Sequence, residues 1–467
     1  MQLQTMGKTI TDNTICAIST APGIGGIAVI RVSGNNAIEC VEKIWQGKKI
    51  AEMASHTAHL GTVIDSDGSP LDQVVLTLFR APRSFTGEDV IEISCHGSLW
   101  VQQQLIRILI DAGCTMATGG EFTQRAFLNH RIDLSQAEAI ADLIASSSRA
   151  AHRIALNQMR GGFSAKLKEL REQLLTFASL MELELDFSEE EVEFADRSHL
   201  TTLATEIHTV ISSLAASFAT GNAIKNGVPV AIVGETNVGK STLLNTLLNE
   251  EKALVSDIHG TTRDVIEDTI TISGTMFRFI DTAGIRQTTD QIESMGIDRT
   301  FKKLDEARVV LWVIDATRPA ADIDEIAEQI APKSTEKTLI AVVNKIDAAT
   351  PQHLDKIRKA TDRFTTIEIS AKQHTGIDTL QQALINAAHL PENDSNELII
   401  TNARHYQALT LADEAILRAI DGLEASLSGD FISQDIRECM HYLGEITGEI
   451  TTDTILQTIF SRFCIGK

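Results

Sequence analysis

Between Val228 and Leu247 the chain reads VPVAIVGETNVGKSTLLNTL, which contains G-x-x-x-x-G-K-S at Gly234, Gly239, Lys240 and Ser241. Glycines at this spacing let the backbone curl with successive N–H groups turned inward, a cradle for phosphate, and the helix that follows adds its positive end. A lysine in this position reaches the β- and γ-phosphates, and the serine hydroxyl after it ligates Mg2+. The apolar strand before and the amphipathic helix after weigh against a chance glycine-rich turn.

Four further stretches follow in order: Thr261-Thr262; Asp281-Thr282-Ala283-Gly284 after a strand from Met276 to Ile280; Asn344-Lys345-Ile346-Asp347 after a strand from Thr338 to Val343; and Ser370-Ala371-Lys372. A parallel α/β sheet presents such loops at the carboxyl ends of its strands. Asp281 would hold the Mg2+ shell and Gly284 would give its N–H to the γ-phosphate. Asn344 and Asp347 supply an acceptor and a carboxylate for the edges of guanine, so the site is read as binding GTP rather than ATP. Where Ras-like GTPases place a water-orienting glutamine, this chain has Ile285, which cannot polarise water. Glu293 is the favoured substitute; a solvated loop carboxylate is the alternative.

The elements that position these residues belong to a chain of 467 residues, long enough for about three domains. The N-terminus MQLQTMGKTITDNT has no apolar signal core, and no run approaches membrane-spanning length, so a soluble, cytoplasmic protein is expected. Cys16, Cys40, Cys95, Cys114, Cys439 and Cys464 show no C-x-x-C pair, which argues against zinc and against a disulfide framework. A net charge of −22 counts against broad, nonspecific nucleic-acid binding, leaving local contacts or a partner to make any RNA interaction.

From Ile15 to about Asn129 the pattern is mixed α/β. Strands are expected at Ile15 to Ile18, Gly26 to Val32, Gln73 to Phe79 and Asp89 to Cys95, with a hairpin loop at Asp65 to Gly68 and a helix from Leu99 to Ala112. Glu88, Asp89, Glu92 and His96 lie near one strand, and read as a polar strand edge before they read as acid/base chemistry. A capping box at Ser135 to Glu138 opens one long helix through Met159, Phe163 to Leu185 continues with Leu167, Leu170, Leu174 and Leu175 at helical spacing, and His199 to Ala219 ends at Thr220-Gly221-Asn222. Beyond the nucleotide segment, helices are expected at Ala403 to Leu427, Ile432 to Thr447 and Thr452 to Phe463. Flanks of this kind fold most simply into one helical domain with the GTPase domain inserted. The terminal Phe463-Cys464-Ile465-Gly466-Lys467 is no prenylation box, and its cysteine reads as a small buried hydrophobe or as a reactive thiol.

Together, APGIGGIAVIRVSG at Ala21 to Gly34, SFTGEDVIEISCHG at Ser84 to Gly97, GEFTQRAFLNHRIDLSQAEAIADLI at Gly120 to Ile144, GTTRD at Gly260 to Asp264 and the terminal CIGK closely resemble the MnmE (TrmE) family of tRNA-modification GTPases over nearly the whole chain. The resemblance implies a multidomain α/β plus all-α fold: an N-terminal α+β folate-binding and dimerisation domain at 1–129, a helical domain from 130–226 and 388–467, and an inserted Ras-like P-loop GTPase domain at 227–387. It implies a homodimer that joins an MnmG-type FAD protein, which also uses NADH, in a heterotetramer. Together they would add an aminomethyl-type (carboxymethylaminomethyl) group to C5 of the wobble uridine, position 34, of certain tRNAs. A tetrahydrofolate derivative, 5-formyl or 5,10-methylene, would supply the one-carbon unit.

By matching motif, Arg31, Glu92, Arg131 and Lys467 resemble the folate contacts, with arginine at 131 where lysine is frequent, and Cys464 matches the tail cysteine. Asn237, Val238, Gly239, Lys240, Ser241, Thr242, Ser256, Thr261, Thr262, Asp281, Thr282, Ala283, Gly284, Asn344, Lys345, Asp347, Ser370 and Ala371 match the GTP-binding set. The resemblance further implies Mg2+ on Ser241 and Thr262, K+ on Asn237 with the backbone of Ser256, Ile258 and Thr261, and catalysis by Lys240, Glu293 and Cys464, with dimerising GTPase domains closing the K+ site. A ribosome-assembly GTPase of the Era/Der type is the alternative, as is a switch or scaffold without chemistry.

Overall fold

In the computed structural model, residues 13–186, 197–235, 237–252, 268–280, 306–319, 323, 337–388, 398–461, 463 and 465–466 are described. The chain divides into two compact units: Met1–Ile144, Ala155–Thr209 and Ala408–Lys467 form one, and Ala145–Ile154 with Val210–Gln407 form the other.

The first unit holds strands β1 (Ile15–Ile18), β2 (Gly25–Ser33), β3 (Trp45–Gln46), β4 (Thr57–Ile64), β5 (Pro70–Phe79), β6 (Val90–Gly97) and β7 (Thr115–Met116), with helices α1 (Ala37–Glu42), α2 (Leu99–Asp111), α3 (Glu121–Leu128) and α4 (Leu134–Ala145). The seven-stranded sheet runs β3-β4-β5-β6-β2-β1-β7. Alternate residues Ile30 and Val32 of β2, Leu76 and Leu78 of β5, and Ile91 and Ile93 of β6 enter a core with Val41 of α1 and Leu105 and Leu109 of α2. The opposite face keeps Ile27, Leu60 and Val75 exposed at 69, 66 and 39%. Strand β4, with Gly61 inside it, was given no bounds by the sequence, which shows only the hairpin loop after it. That glycine seats Trp45: a Cβ there would lie 2.3 Å from the indole.

Three helical expectations are corrected. The capping box opens on Asp133, not Ser135: Asp133 Oδ1 accepts from Gln136 N at 2.9 Å while Gln136 Oε1 accepts from Asp133 N at 3.0 Å. The single helix to Met159 is two, α4 and Arg149–Met159, because Ser148 Oγ accepts from Ala151 N at 3.1 Å and starts a new helix. Likewise Thr220-Gly221-Asn222 ends nothing. The break falls at Ser217, and Phe218–Asn226 is a helix whose Gly221 admits the Ile400 carbonyl, 2.0 Å from where a Cβ would sit.

Gly162–Asp186 packs along Gly429–Thr447, where Leu167, Leu170 and Leu174 are buried but Leu175 is exposed. Arg171 pairs with Glu449 beside this seam. Thr452 caps Asp453–Phe460 by accepting from Ile455 N.

The second unit is built on β8 (Val228–Val233), β9 (Asp268–Ile272), β10 (Thr275–Phe279), β11 (Val309–Asp315), β12 (Thr338–Asn344) and β13 (Thr365–Glu368), with α5 (Lys240–Lys252) after β8. Its order is β13-β12-β11-β8-β10-β9, parallel except where β9 meets β10. Every residue of β11 is buried. One face packs Val230, Leu311 and Val342 and the other Ala231, Trp312 and Val343, as a parallel sheet covered on both faces requires. The doubly covered sheet sends the phosphate loop, Asn344 and Ser370-Ala371 out at its carboxyl ends.

Candidate functional site

The phosphate loop leaves β8 at Gly234 and enters α5 at Lys240. Asn237 and Gly239 have φ of +62° and +100°, a left-handed course, and Gly234 has φ of +148°. A Cβ on Gly234 would lie 2.4 Å from the Val313 carbonyl oxygen and one on Gly239 2.3 Å from Asn344 Nδ2, so glycine is required at both on contact as well as conformation. Lys240 Nζ donates to the carbonyls of Gly234 and Glu235, each at 2.6 Å. Burial pushes its pKa down, with Glu235 opposing. Ser241 is half-buried and Thr242 exposed on the first turn of α5.

The loop after β12 grips this cradle. Asn344 Nδ2 donates to the Val238 carbonyl at 2.9 Å, and its Oδ1 accepts from Ala371 N at 3.0 Å. Lys345, with φ of +66°, donates to the Asn237 carbonyl at 2.7 Å and to Asp315 Oδ2 at 2.6 Å. Thr246 on α5 donates to the Ala371 carbonyl at 3.0 Å, and Ser370 Oγ donates to Asp347 at 2.6 Å, leaving that carboxylate at the surface. The phosphate end and the base end are therefore one hydrogen-bonded assembly. Asp315 and Thr246 went unnoticed in the sequence, where neither lies in a motif.

In the first unit, Arg31 on β2 stands opposite Glu92 on β6 and donates through Nε and Nη2 to Glu92 Oε1 at 3.0 and 2.8 Å. Its guanidinium lies 5.5 Å from the ring centre of Phe85 and 5.6 Å from that of Phe122. Arg131 packs its stem over Gly87 of the same 84–89 loop that carries Phe85. Beneath them Arg125, fully buried, donates to Glu121, Glu88 and Asn13, and Ser33 Oγ donates to Glu88 at 2.7 Å. Glu88, Asp89, Glu92 and His96 do not converge. Glu88 meets Arg125, Asp89 accepts from Ala81 N, Glu92 meets Arg31, and His96 pairs with Asp72.

The C-terminal tail comes to the same domain. Ile465 bridges to Gly119, and the Gly466 carbonyl accepts from Ser19 Oγ at 3.1 Å. In the β1–β2 ladder Ala17 stands opposite Arg31, so the tail meets β1 at the residues just beyond. Gly119 and Gly120 give room for the carbonyls of Phe463 and Phe460, and Gly466 for that of Ile18. Ser256, Ile258, Thr261, Thr262, Asp281, Thr282, Ala283, Gly284, Glu293, Cys464 and Lys467 lie outside the described residues.

A family model described as the MnmE helical domain matches residues 134–464, and one described as the GTP-binding protein TrmE N-terminus matches 14–131. The tRNA modification GTPase MnmE of Parabacteroides distasonis is 56% identical over 460 residues, spanning 97% of this chain and 100% of that protein. The chain belongs to the MnmE family of tRNA modification GTPases. Its relative in Bacteroides thetaiotaomicron is also 56% identical, over 98% of this chain and 100% of its own length. That in Flavobacterium johnsoniae is 50% identical over the same shares. A crystal structure of Aquifex aeolicus Era is 31% identical, covers 40% of this chain and 66% of its own, and has a TM-score of 0.27, too partial a match to bear on function. The phosphate loop described above is accordingly that of a GTP hydrolase.

Proposed function

We propose that this GTPase acts with an MnmG-type partner carrying FAD and NADH to install a carboxymethylaminomethyl-type group on C5 of the wobble uridine of certain tRNAs, taking a one-carbon unit from a tetrahydrofolate derivative. The observation that carries the reading is the docking of Ile465 and Gly466 on the domain that holds the Arg31–Glu92 pair. That pair offers a charged donor and a carboxylate acceptor between aromatic rings, a donor set suited to a planar ligand with amide-like edges. Arg131 on the neighbouring loop adds a cation for a ligand's carboxylates, and Lys467 and Cys464 complete the proposed site. When bound, the folate supplies the one-carbon unit; Arg31, Glu92 and Arg131 bind and orient it.

In the second unit Lys240 and the inward N–H groups of the loop hold the phosphates. Ser241 and Thr262 hold Mg2+, Asn237 with Ser256, Ile258 and Thr261 holds K+, and Glu293 orients water. The left-handed Asn237 fits such a role, since its carbonyl is already tied down by Lys345. A cation beside the phosphates offsets developing charge as an arginine would. Hydrolysis is expected to run faster in KCl than in NaCl at matched ionic strength. Homodimerisation is supported by the exposed apolar sheet face at Ile27, Leu60 and Val75. Among the described residues no helix is long and apolar enough to cross a membrane, and the proposed setting is the cytoplasm.

The test is mass spectrometry of nucleosides from tRNA of cells depleted of this protein and rescued with wild type or Glu293→Ala. The reading requires loss of a C5-modified wobble uridine that wild type restores and the variant does not; an unchanged profile overturns it.

A further inference from the structure

Asp315 closes β11 and belongs to none of the nucleotide-binding motifs, yet its side chain is only 6% exposed and bonds Lys345 Nζ at 2.6 Å. Thr317 fixes the carboxylate from the other side through its N–H at 2.9 Å and its hydroxyl at 2.7 Å, both to Oδ1. The ladder explains the meeting: Asp315 is in register with Asn344, so the residue after Asn344 passes directly over it. Lys345 in turn holds the carbonyl of Asn237. That residue has positive φ and sits at the crest of the phosphate loop, where a free peptide would otherwise choose between conformations.

We infer that Asp315 is a positioning residue for nucleotide binding: by anchoring Lys345 it fixes the Asn237 carbonyl and sets the phosphate loop in its binding conformation before GTP arrives. This rests on the reading of the loop as the GTP site. A lysine side chain has many rotamers to lose, and Asp315 removes most of that freedom in the free protein, so the nucleotide meets an ordered loop. The burial that opposes ionisation of Asp315 is overcome by the bonds from Lys345 and Thr317, which hold its carboxyl below the usual range.

The experiment is a double-mutant cycle on GDP affinity, read by fluorescence of a labelled GDP on the full-length chain, with wild type, Asp315→Asn, Lys345→Met and the double variant. Asp315→Asn is expected to weaken GDP about tenfold, the equivalent of about 1.4 kcal/mol, and to do so less than about twofold when Lys345 is already methionine. An equal loss in both backgrounds, or no loss in the first, overturns the proposal. Thr317→Val serves as a second probe should Asp315→Asn fail to fold. It leaves the charge and loosens its aim, and is expected to cost a few-fold in affinity only when Lys345 is present; a loss independent of Lys345 counts against the proposal. Failure of the wild type to bind GDP would overturn the site reading and the inference with it, a result distinct from either outcome of the cycle.

Discussion

Replacing Arg125 by methionine isolates what holds the Arg31 corner together. The Arg125 side chain is fully buried and donates to Asn13 O at 2.8 Å, Asn13 Oδ1 at 2.7 Å, Glu121 Oε1 at 2.9 Å and both oxygens of Glu88 at 3.2 and 3.3 Å. Methionine keeps much of the stem's volume and removes every donor. Glu88 and Glu121, 7 and 8% exposed, are then stranded, and breaking a buried pair costs about 3–5 kcal/mol. The two losses do not simply add. Glu88 keeps the Ser33 hydroxyl and Glu121 keeps Thr118 N and Oγ1, so we expect about 4 kcal/mol in all. For a domain of this size that lowers the transition by about 15 °C.

Trp45 and Trp100 report on this domain once Trp312, the remaining tryptophan, is made phenylalanine, so thermal melts followed by their fluorescence are the assay. The triple variant Arg125→Met, Glu88→Gln, Glu121→Gln removes the stranded charges and should regain at least half of the loss. A fall of less than about 4 °C, or a triple variant no more stable than the single one, would refute the account of a buried charge network.

Gly466→Ala should undock the tail, because the new Cβ would lie 2.2 Å from the Ile18 carbonyl oxygen at a φ of +94°. We expect about tenfold weaker binding of 5-formyltetrahydrofolate with the melting temperature nearly unchanged, checked by calorimetry. Gly239→Ala should abolish measurable GDP binding, since its Cβ would strike Asn344 Nδ2; retention of affinity within threefold would contradict the contact. Asp315 also carries a pH signature. Its folded pKa is depressed below 3.8, so its contribution to stability is present in full above that value and disappears as pH falls through the folded pKa. The stability gap between wild type and Asp315→Asn should hold steady from about pH 7 to 5 and narrow below about pH 4 in chemical denaturation.

Much of the second unit could be read directly, because a buried parallel strand is an uninterrupted apolar run and the loops after such strands carry the motif residues. Val228 to Val233 and Thr338 to Asn344 are of this kind, whereas Val309 to Asp315, equally apolar but followed by no motif, was not expected. The first unit was less open. Its order is set by contacts distant in sequence: Arg125 with Asn13 and Glu88, Trp45 with Gly61, Gly119 with Ile465. No local pattern announces such pairs, and Gly221, which reads as a break, proved to be the seat of a carbonyl. The helix boundaries failed for a related reason. A serine cluster in an alanine-rich run is compatible with a continuing helix, and only the bond from Ala151 N to Ser148 decides for a new start. At the Arg31 corner the charged residues were visible, but their grouping was not. Four polar side chains close in sequence went to four different partners, because Glu92 and His96 share a face of β6 but stand four residues apart along it, while Glu88 and Asp89 lie in the loop before it.

The bridge between Gly119 and Ile465 also has a meaning in time. On the ribosome the N-terminal strands emerge first and can fold while the helices and the nucleotide-binding sheet are still being made. The groove at Ile18, Ser19 and Gly119 then waits for a segment translated only after everything between has left the tunnel. Closure of the tail against β1 therefore comes after the nucleotide-binding sheet has been made, and a chain released before residue 465 would carry the Arg31–Glu92 pair with nothing seated at Gly119.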